Sequence, residues 1–366
     1  MRKTALLLST CVVLFASCNQ DEPKTTPNVT NIVTEQAIVA PEVGGPNQPN
    51  QVYIDLSSNT QTAVNREKWD FGFYCGDTYR VIINNSIKMA VKQLNTTDIN
   101  IPQEIDYSVG VSTEALATDG YVDNPFGVLN SNVPGQGTAI AEISDDAEQN
   151  KVYLVNMGNH IGTEIPLPGG TNPTGDHRGW KKIRITKNNI GDYVIQYANP
   201  QDTTHNTITI SKNTDYNFVH LSLTSGQTVS VQPQKTAWDL CYTTNTNYTG
   251  TSMQTAVLYF FTDLVFNNIH GGVRVYEVTT TAEERDQIYT DYKLSEVEHD
   301  KFSATNLAHQ QVIGSKWRST IDRTVNDRKF YVLKDAEGNI FKIKFLALMN
   351  EAGERGYPVF EYELLK

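Results

Sequence analysis

The sequence predicts an all-β protein built from two related antiparallel β units. Three observations support this fold class. Apolar residues alternate with polar ones in short runs that Gly, Asn and Pro interrupt, as in β-sandwiches and open sheets. The 366 residues include 18 Tyr and 24 Gly and only 19% charged side chains, a composition that favours strands and turns. The order of the motifs also repeats along the chain, which indicates a duplication.

The N-terminus has the pattern of a bacterial lipoprotein signal. Two cationic residues precede an apolar stretch from Ala5 to Ala16, which is too short to span a bilayer. Residues 1–17 are therefore predicted to be a signal peptide, and Cys18 is the predicted site of lipidation. Residues 18–46 are predicted to form a lipid-anchored tether. Asp21-Glu22 resembles a surface-export tag, so we expect an outer-membrane protein exposed at the cell surface.

The two predicted units are residues 47–203 and residues 204–366. Each begins with a strand, a turn and a second strand, and then a Trp-Asp pair, Trp69-Asp70 or Trp238-Asp239. Two further pairs of similar sequence segments follow the Trp-Asp pair, in the same order in both units. The chain is therefore interpreted as two diverged copies, each of ordinary domain size.

Strands are predicted in chain order from β-branched and aromatic residues at alternating positions. In the first unit they lie in QVYIDLS, WDFGFYC, YRVIINN, SIKMAVKQL, KVYLVN and the hairpin WKKIRITKNNIGDYVIQY. In the second unit they lie in YNFVHLSL, TVSVQ, WDLCY, FFTDLVF, KFYVLK and FKIKFLALMNEAGERGYPVFEYELL. Asp335 to Asn339 is predicted to be a hairpin turn, and TTAEERDQIYTDYK is the best helical segment, with Thr280 or Thr281 as its cap.

Charge and missing motifs exclude several classes of function. The net charge of −11 argues against nucleic acid, since phosphate binding needs a cationic surface. The sequence has no G-x-S-x-G nucleophile motif, no H-E-x-x-H zinc motif and no phosphate-binding loop. We therefore expect a protein that is not an enzyme.

The repeated Trp-Asp pairs allow two interpretations. Asp70 and Asp239 could act as a general acid and base, because carboxylates in unlike environments differ in pKa. Alternatively, each Trp anchors the core and each Asp accepts a hydrogen bond from the backbone of a turn. The recurrence of the pair in both copies favours the structural interpretation.

Histidine and methionine supply the candidate metal ligands. His270 precedes two glycines, and Met157 and His160 lie on a loop-like NMGNHIG stretch. Met89 and Met253 complete the set of candidates. Side chains of these two types are axial ligands of haem iron, and a six-coordinate site needs two of them to converge. Cys75 and Cys241 are the remaining thiols, and whether they form a disulfide is left open.

The second unit ends in four consecutive motifs: Gly314-x-x-Trp317-Arg318, the strand Asp327 to Val332, the turn Lys334 to Asn339 and the closing segment Arg355 to Tyr362. Together they resemble the HmuY family of haem-binding bacterial lipoproteins. The first unit is similar mainly around its Trp-Asp segment.

The resemblance implies an all-β fold, a lipid anchor in the outer membrane and capture of haem or a porphyrin for a TonB-dependent receptor. It also implies two axial ligands, for which His270 and Met253 lie nearest the relevant region of the second unit and Met89 is the equivalent in the first. A glycan- or protein-binding lipoprotein without a haem site is the alternative. A hydrolase that uses Asp70 or Asp239 is the third hypothesis.

Overall fold

A computed structural model describes residues 33–366. The predicted signal peptide (1–17), the lipidation site Cys18 and the first part of the tether lie outside the described residues. Within the described range, no helix is long and apolar enough to cross a membrane.

The described residues form twenty strands, numbered here in chain order. Those of the first half are β1 (Gln36–Val39), β2 (Asn50–Asp55), β3 (Thr60–Asn65), β4 (Phe71–Tyr74), β5 (Val81–Ile83), β6 (Ala90–Gln93), β7 (Val152–Asn156), β8 (Trp180–Lys187) and β9 (Tyr193–Ala198). Those of the second half are β10 (Asn206–Ile210), β11 (Phe218–Ser222), β12 (Gln227–Val229), β13 (Leu240–Thr249), β14 (Val257–Asn267), β15 (Arg274–Thr279), β16 (Arg318–Ser319), β17 (Thr324–Val325), β18 (Lys329–Lys334), β19 (Ile340–Met349) and β20 (Arg355–Leu364).

Helical structure is minor, as the sequence predicts. The described residues contain one α-helix, α1 (Arg285–Asp291), which lies inside the predicted helical segment and ends two residues before it. Short 3-10 helices span Arg66–Lys68, Asn85–Ile87, Ala117–Asp119, Ala147–Gln149, Ile269–Gly271, Leu294–Glu296, His299–Ser303 and Thr305–Leu307. The all-β prediction is therefore confirmed.

The strands form four principal sheets in two matching pairs, and every pairing in them is antiparallel. The five-stranded sheets have the orders β1-β20-β19-β18-β15 and β10-β9-β8-β7-β6, and the four-stranded sheets have the orders β12-β11-β4-β5 and β14-β13-β2-β3. Strands β16 and β17 form a small separate ribbon. The matching orders show that the duplicated motifs occupy equivalent places in the fold.

Each half contributes its first strands to the sheets of the other half. Strand β2 pairs with β13, with Tyr53 opposite Cys241, and β11 pairs with β4, with His220 opposite Gly72. Strand β1 of the first half likewise pairs with β20 of the second, and β10 of the second half pairs with β9 of the first. We call this reciprocal arrangement the strand exchange. Residues Val33–Lys366 consequently form one compact unit.

The strand exchange bears on two predicted boundaries. The boundary between 203 and 204 separates β9 from β10, which are neighbours in one sheet. The tether predicted for 18–46 differs from the structure in its second part, because residues 36–39 form β1 and Val39 and Val43 are buried. The four residues of β1 are too few to show an alternating pattern, and their partner strand β20 lies at the far end of the chain.

The hydrophobic cores are also shared between the halves. One cluster packs Val52, Ile54 and Leu56 of the first half against residues of the second half such as Trp317 and Phe345. The matching cluster packs Leu221 and Leu223 of the second half among residues of the first half. The two Trp residues of the Trp-Asp pairs lie together in a smaller cluster between them.

Candidate functional site

The Trp-Asp pairs hold the exchanged strands in place. The Asp70 carboxylate accepts a hydrogen bond from the Leu223 N–H at 2.7 Å, and the Asp70 N–H donates to the Leu221 carbonyl at 2.8 Å. Asp239 makes the same two bonds to β2 and the residues that follow it, at 2.8 Å with the Leu56 N–H and 2.7 Å with the Ile54 carbonyl. The structural interpretation of the pair is confirmed, since both carboxylates cap the end of an exchanged strand.

An asparagine completes each cap. The Asn84 amide donates to the carbonyls of Arg66 and Trp69, at 2.7 and 2.8 Å. Asn268 does the same in the second half, with the carbonyls of Lys235 and Trp238 at 2.8 and 2.9 Å. Each asparagine begins a 3-10 helix, and the residue after that helix, Lys88 or Gly272, has a positive φ. Positions 85–88 and 269–272 are thereby equivalent.

The two carboxylates differ in their charge environment. Asp70 is fully buried and forms an ion pair with the buried Arg178 at 2.9 Å. Burial raises the pKa of Asp70, and the Arg178 charge opposes this rise. Asp239 forms no ion pair within residues 33–366, and burial raises its pKa to about 8. The duplicated caps have thus diverged electrostatically.

The isolated Asp239 predicts a pH-dependent stability. Its folded pKa of about 8 exceeds the ordinary aspartate pKa of 3.8, so between these values the folded state holds a proton that the unfolded state has lost. The free energy of unfolding should therefore fall as pH rises through this window, by up to about 1.4 kcal/mol per unit from this group. The Asp239→Asn variant can still accept the Leu56 bond and should lose this contribution.

Urea denaturation of wild type and Asp239→Asn at pH 5 and pH 8 measures the difference. Asp215→Asn is the matched control, because the Asp215 side chain is exposed. Equal pH dependence in wild type and Asp239→Asn would contradict the assignment.

A cavity of about 110 Å³ lies where the two halves meet, and we call it the central cavity. Residues of both halves line it. Its aromatic lining residues are Tyr53, Trp69, Phe218, Trp238, Phe266 and His270. The Trp238 ring packs edge-on against Tyr53 at 5.1 Å, and the Trp69 ring packs edge-on against His220 at 4.8 Å.

The central cavity also carries buried polar groups. Several buried atoms of its lining have no hydrogen-bond partner among the described residues. They are the side-chain amide oxygen and nitrogen of Asn267, the amide oxygens of Asn85 and Gln232, and the indole N–H of Trp238. Leaving such a group unpaired costs about 1–3 kcal/mol, so these groups in folded proteins usually bind ordered water or a polar ligand atom. The cavity therefore offers hydrogen bonds as well as aromatic surface.

A segment that we call the strap, residues 123–129, covers one side of the central cavity. The Asp123 carboxylate accepts hydrogen bonds from the Ile83 and Ala139 N–H groups, both at 2.8 Å. Gln310 fixes the middle of the strap. Its side-chain amide donates to the Pro125 carbonyl at 2.8 Å, and its backbone N–H donates to the Phe126 carbonyl at 3.0 Å. Pockets for drug-sized ligands measure about 300–1,000 Å³, so a ligand of that size would need the strap to move outward.

His270 is the one proposed axial ligand among the five that lines the central cavity. It lies on the 3-10 helix Ile269–Gly271, and its ring is 5.7 Å from the rings of Tyr74 and Phe218. Burial and the nearby Arg274 charge lower the pKa of His270 to about 4, although a hydrogen bond with the Gly127 backbone opposes the shift. Its imidazole is therefore neutral at physiological pH, the form that binds metals.

The other four candidates lie elsewhere. Met89 and Met157 are buried together in the hydrophobic cluster that packs on the sheet β10-β9-β8-β7-β6. His160 is exposed, with Nδ1 2.7 Å from a Glu67 carboxylate oxygen. Met253 lies in the turn between β13 and β14. None of the four lines the central cavity. Within the described residues, no group of three His, Cys, Asp or Glu side chains could hold a metal ion.

His220 is a further histidine of this region that the sequence interpretation did not select. It lies on β11, is 3% exposed, and has an Nε2 atom with no hydrogen-bond partner in the described part of the chain. Burial lowers its pKa to about 3. Its ring lies 6.2 Å from Phe218, which also contacts His270. The alternation of Phe218, His220 and Ser222 in one strand was the available signal, since it places all three on one face.

The two cysteines of the described residues are both free thiols and both buried. Cys241 lines the central cavity and packs in the cluster of Trp69 and Trp238. Burial raises the pKa of both thiols. The question of a Cys75–Cys241 disulfide is thus answered in favour of two separate thiols.

Comparison with known proteins gives one match. The family model described as "HmuY protein" matches residues 47–215 and again residues 213–362. The two matches meet in the segment between β10 and β11, and together they cover most of the chain. No curated protein and no solved structure matches.

Proposed function

This chain belongs to the HmuY family, and on that premise we propose that it binds haem or a related porphyrin. The family is known for haem binding. The proposal includes a binding role without catalysis, since both repeated carboxylates are engaged by backbone N–H groups.

The position of His270 is the observation that carries this proposal. A neutral imidazole beside the rings of Tyr74 and Phe218, at the wall of an aromatic cavity, is suited to ligate haem iron and to contact a flat macrocycle. We assign His270 as one axial ligand. His220 packs against Trp69 and does not line the cavity, so we assign it no role in ligation.

Entry of a porphyrin requires the strap to open. The hydrogen bonds from Gln310 to Pro125 and Phe126 hold it closed. A neutral imidazole has one N–H and one unprotonated nitrogen, so His270 can donate to the Gly127 backbone and ligate iron through its other nitrogen. Opening would enlarge the central cavity and expose its amide groups, which could then bind the polar propionates of the macrocycle.

The cellular setting belongs to the same proposal. Cys18 would carry the lipid that anchors the protein in the outer membrane, with the domain exposed at the cell surface. Bound haem would then pass to a TonB-dependent receptor. The sequence pattern around Cys18 and the acidic Asp21-Glu22 support this setting.

A haemin titration of residues 19–366, followed by visible absorbance, tests the proposal. We expect a saturable Soret shift with low-spin bands for wild type and loss of the low-spin bands for His270→Ala. His160→Ala is the matched control, because His160 is exposed and does not line the cavity. A wild-type spectrum equal to that of free haemin would overturn haem binding. A normal spectrum for His270→Ala would overturn only the ligand assignment.

A further inference from the structure

A second concave site lies apart from the central cavity, and we call it the groove. It has a volume of about 290 Å³ and is lined by Lys88, by the loop from Tyr107 to Tyr121 and by Asn156 and Asn159 near the end of β7. It shares no lining residue with the central cavity. The haem proposal therefore does not account for it.

An exposed aromatic side chain borders the groove. Tyr107 is 82% exposed, although large aromatic side chains are more often buried. Its ring lies 6.0 Å from the Trp180 ring at an angle of 82°, and the Trp180 ring lies 5.7 Å from the His177 ring. Tyr107 thus packs against Trp180 and exposes apolar ring surface to solvent, and it is not part of a hydrophobic core.

The floor of the groove is rigid. The Asn156 amide donates to the Val109 carbonyl at 2.9 Å, and its oxygen accepts from the Gly158 N–H at 3.0 Å. His177 Nδ1 accepts from the Gly179 N–H, so Nε2 carries the proton and donates to the same Asn156 oxygen at 2.8 Å. A floor fixed by these hydrogen bonds is pre-organised for a ligand.

The groove also presents polar groups without a hydrogen-bond or ion-pair partner among the described residues, although the Lys88 amine lies 5.8 Å from the centre of the Phe260 ring. The Lys88 amine, the Glu114 carboxylate and the Tyr107 and Tyr121 hydroxyls make no hydrogen bond or ion pair within residues 33–366. Lys88 is half-buried, and its backbone is fixed by a φ of 65°. Donors and acceptors are therefore both available beside an aromatic ring.

The charges of the groove select among ligand classes. The lining carries two carboxylates, Glu114 and Asp119, and one ammonium, Lys88, so it has no strong excess of either charge and favours a ligand without net charge. Hydroxyl groups both donate and accept hydrogen bonds, and the C–H face of a pyranose ring packs on aromatic surface. We propose that the groove binds a neutral carbohydrate, with the sugar ring against Tyr107 and its hydroxyls at Lys88 and Glu114.

Isothermal titration of residues 19–366 with neutral sugars tests this proposal. The panel is glucose, galactose, mannose, N-acetylglucosamine, lactose, maltose and cellobiose, with glucuronic acid as the anionic probe. We expect at least one neutral sugar to bind. Truncating an aromatic anchor typically costs more than 1 kcal/mol, so Tyr107→Ala should weaken that binding by about tenfold.

Tyr357→Ala is the matched control, because Tyr357 is 43% exposed and lies outside the groove. It should bind the sugar as wild type does. Glu114→Gln should weaken binding, and every variant should keep the wild-type haemin spectrum. The proposal is overturned if no neutral sugar binds, if glucuronic acid binds more tightly, or if Tyr107→Ala retains full affinity.

Discussion

A chain that begins at residue 66 is expected not to fold cooperatively, although it contains the whole second half. The truncation removes β2, whose pairing with β13 builds one four-stranded sheet. It also removes Val52, Ile54 and Leu56, which are at most 1% exposed and pack against residues of the second half. Losing one such side chain costs about 2–5 kcal/mol, and a domain is stable by only about 5–15 kcal/mol.

Thermal unfolding followed by near-ultraviolet circular dichroism tests this prediction. The matched control is a chain that begins at Val33, which keeps every strand and should unfold cooperatively. A peptide of residues 33–65, added to the truncated chain, should restore part of the native signal because it supplies the missing strands. A cooperative transition in the chain from residue 66 without the peptide would show that the strand exchange is dispensable.

Replacing Arg178 by Met is expected to destabilise the protein by about 3–5 kcal/mol, because it leaves the Asp70 charge buried and unpaired. Asp70 is fully buried, and Arg178 lies 2.9 Å from its carboxylate. Arg178 also donates to the Met157 carbonyl at 3.0 Å, so the loss includes a second contact. Urea denaturation measures the change in the free energy of unfolding.

A double-mutant cycle separates the charge from the packing. Asp70→Asn keeps the shape and one acceptor oxygen for the Leu223 N–H, and it removes the charge. If the unpaired charge causes the loss, Arg178→Met should cost much less in the Asp70→Asn background than in wild type. Equal costs in both backgrounds would assign the effect to packing and to the Met157 bond.

Local patterns in the sequence predicted much of this fold. Alternation identified the strands at Phe71, Val152 and Lys329, and the Asp335–Asn339 turn is the observed hairpin between β18 and β19. The strand exchange could not be predicted in this way. The alternation in residues 50–56 is the same whether β2 pairs within its own half or with β13, since pairing depends on contacts distant in sequence.

The candidate site could also be predicted only in part, because some of its residues are identified by local patterns and others by contacts distant in sequence. The recurrence of Trp-Asp indicated a structural role, and the glycines after His270 drew attention to the residue that lines the central cavity. The sequence could not show that Met89 and Met157 are core residues, because a core methionine and a haem-ligating methionine have the same kind of apolar sequence neighbours. His220 packs against Trp69, a residue of the cavity lining, only because β11 pairs with β4 of the other half.

The equivalence of positions 86 and 270 has a further consequence. In a symmetric homodimer of one unit, the two sides of a cavity on the axis would carry identical residues, and each mutation would change both sides at once. Gene fusion removes that constraint. Here Ser86 lies at the position that His270 occupies in the second half, and both line the central cavity. One side could therefore acquire an imidazole while the other kept a small hydroxyl. An asymmetric binding site can thus arise by one substitution at a time.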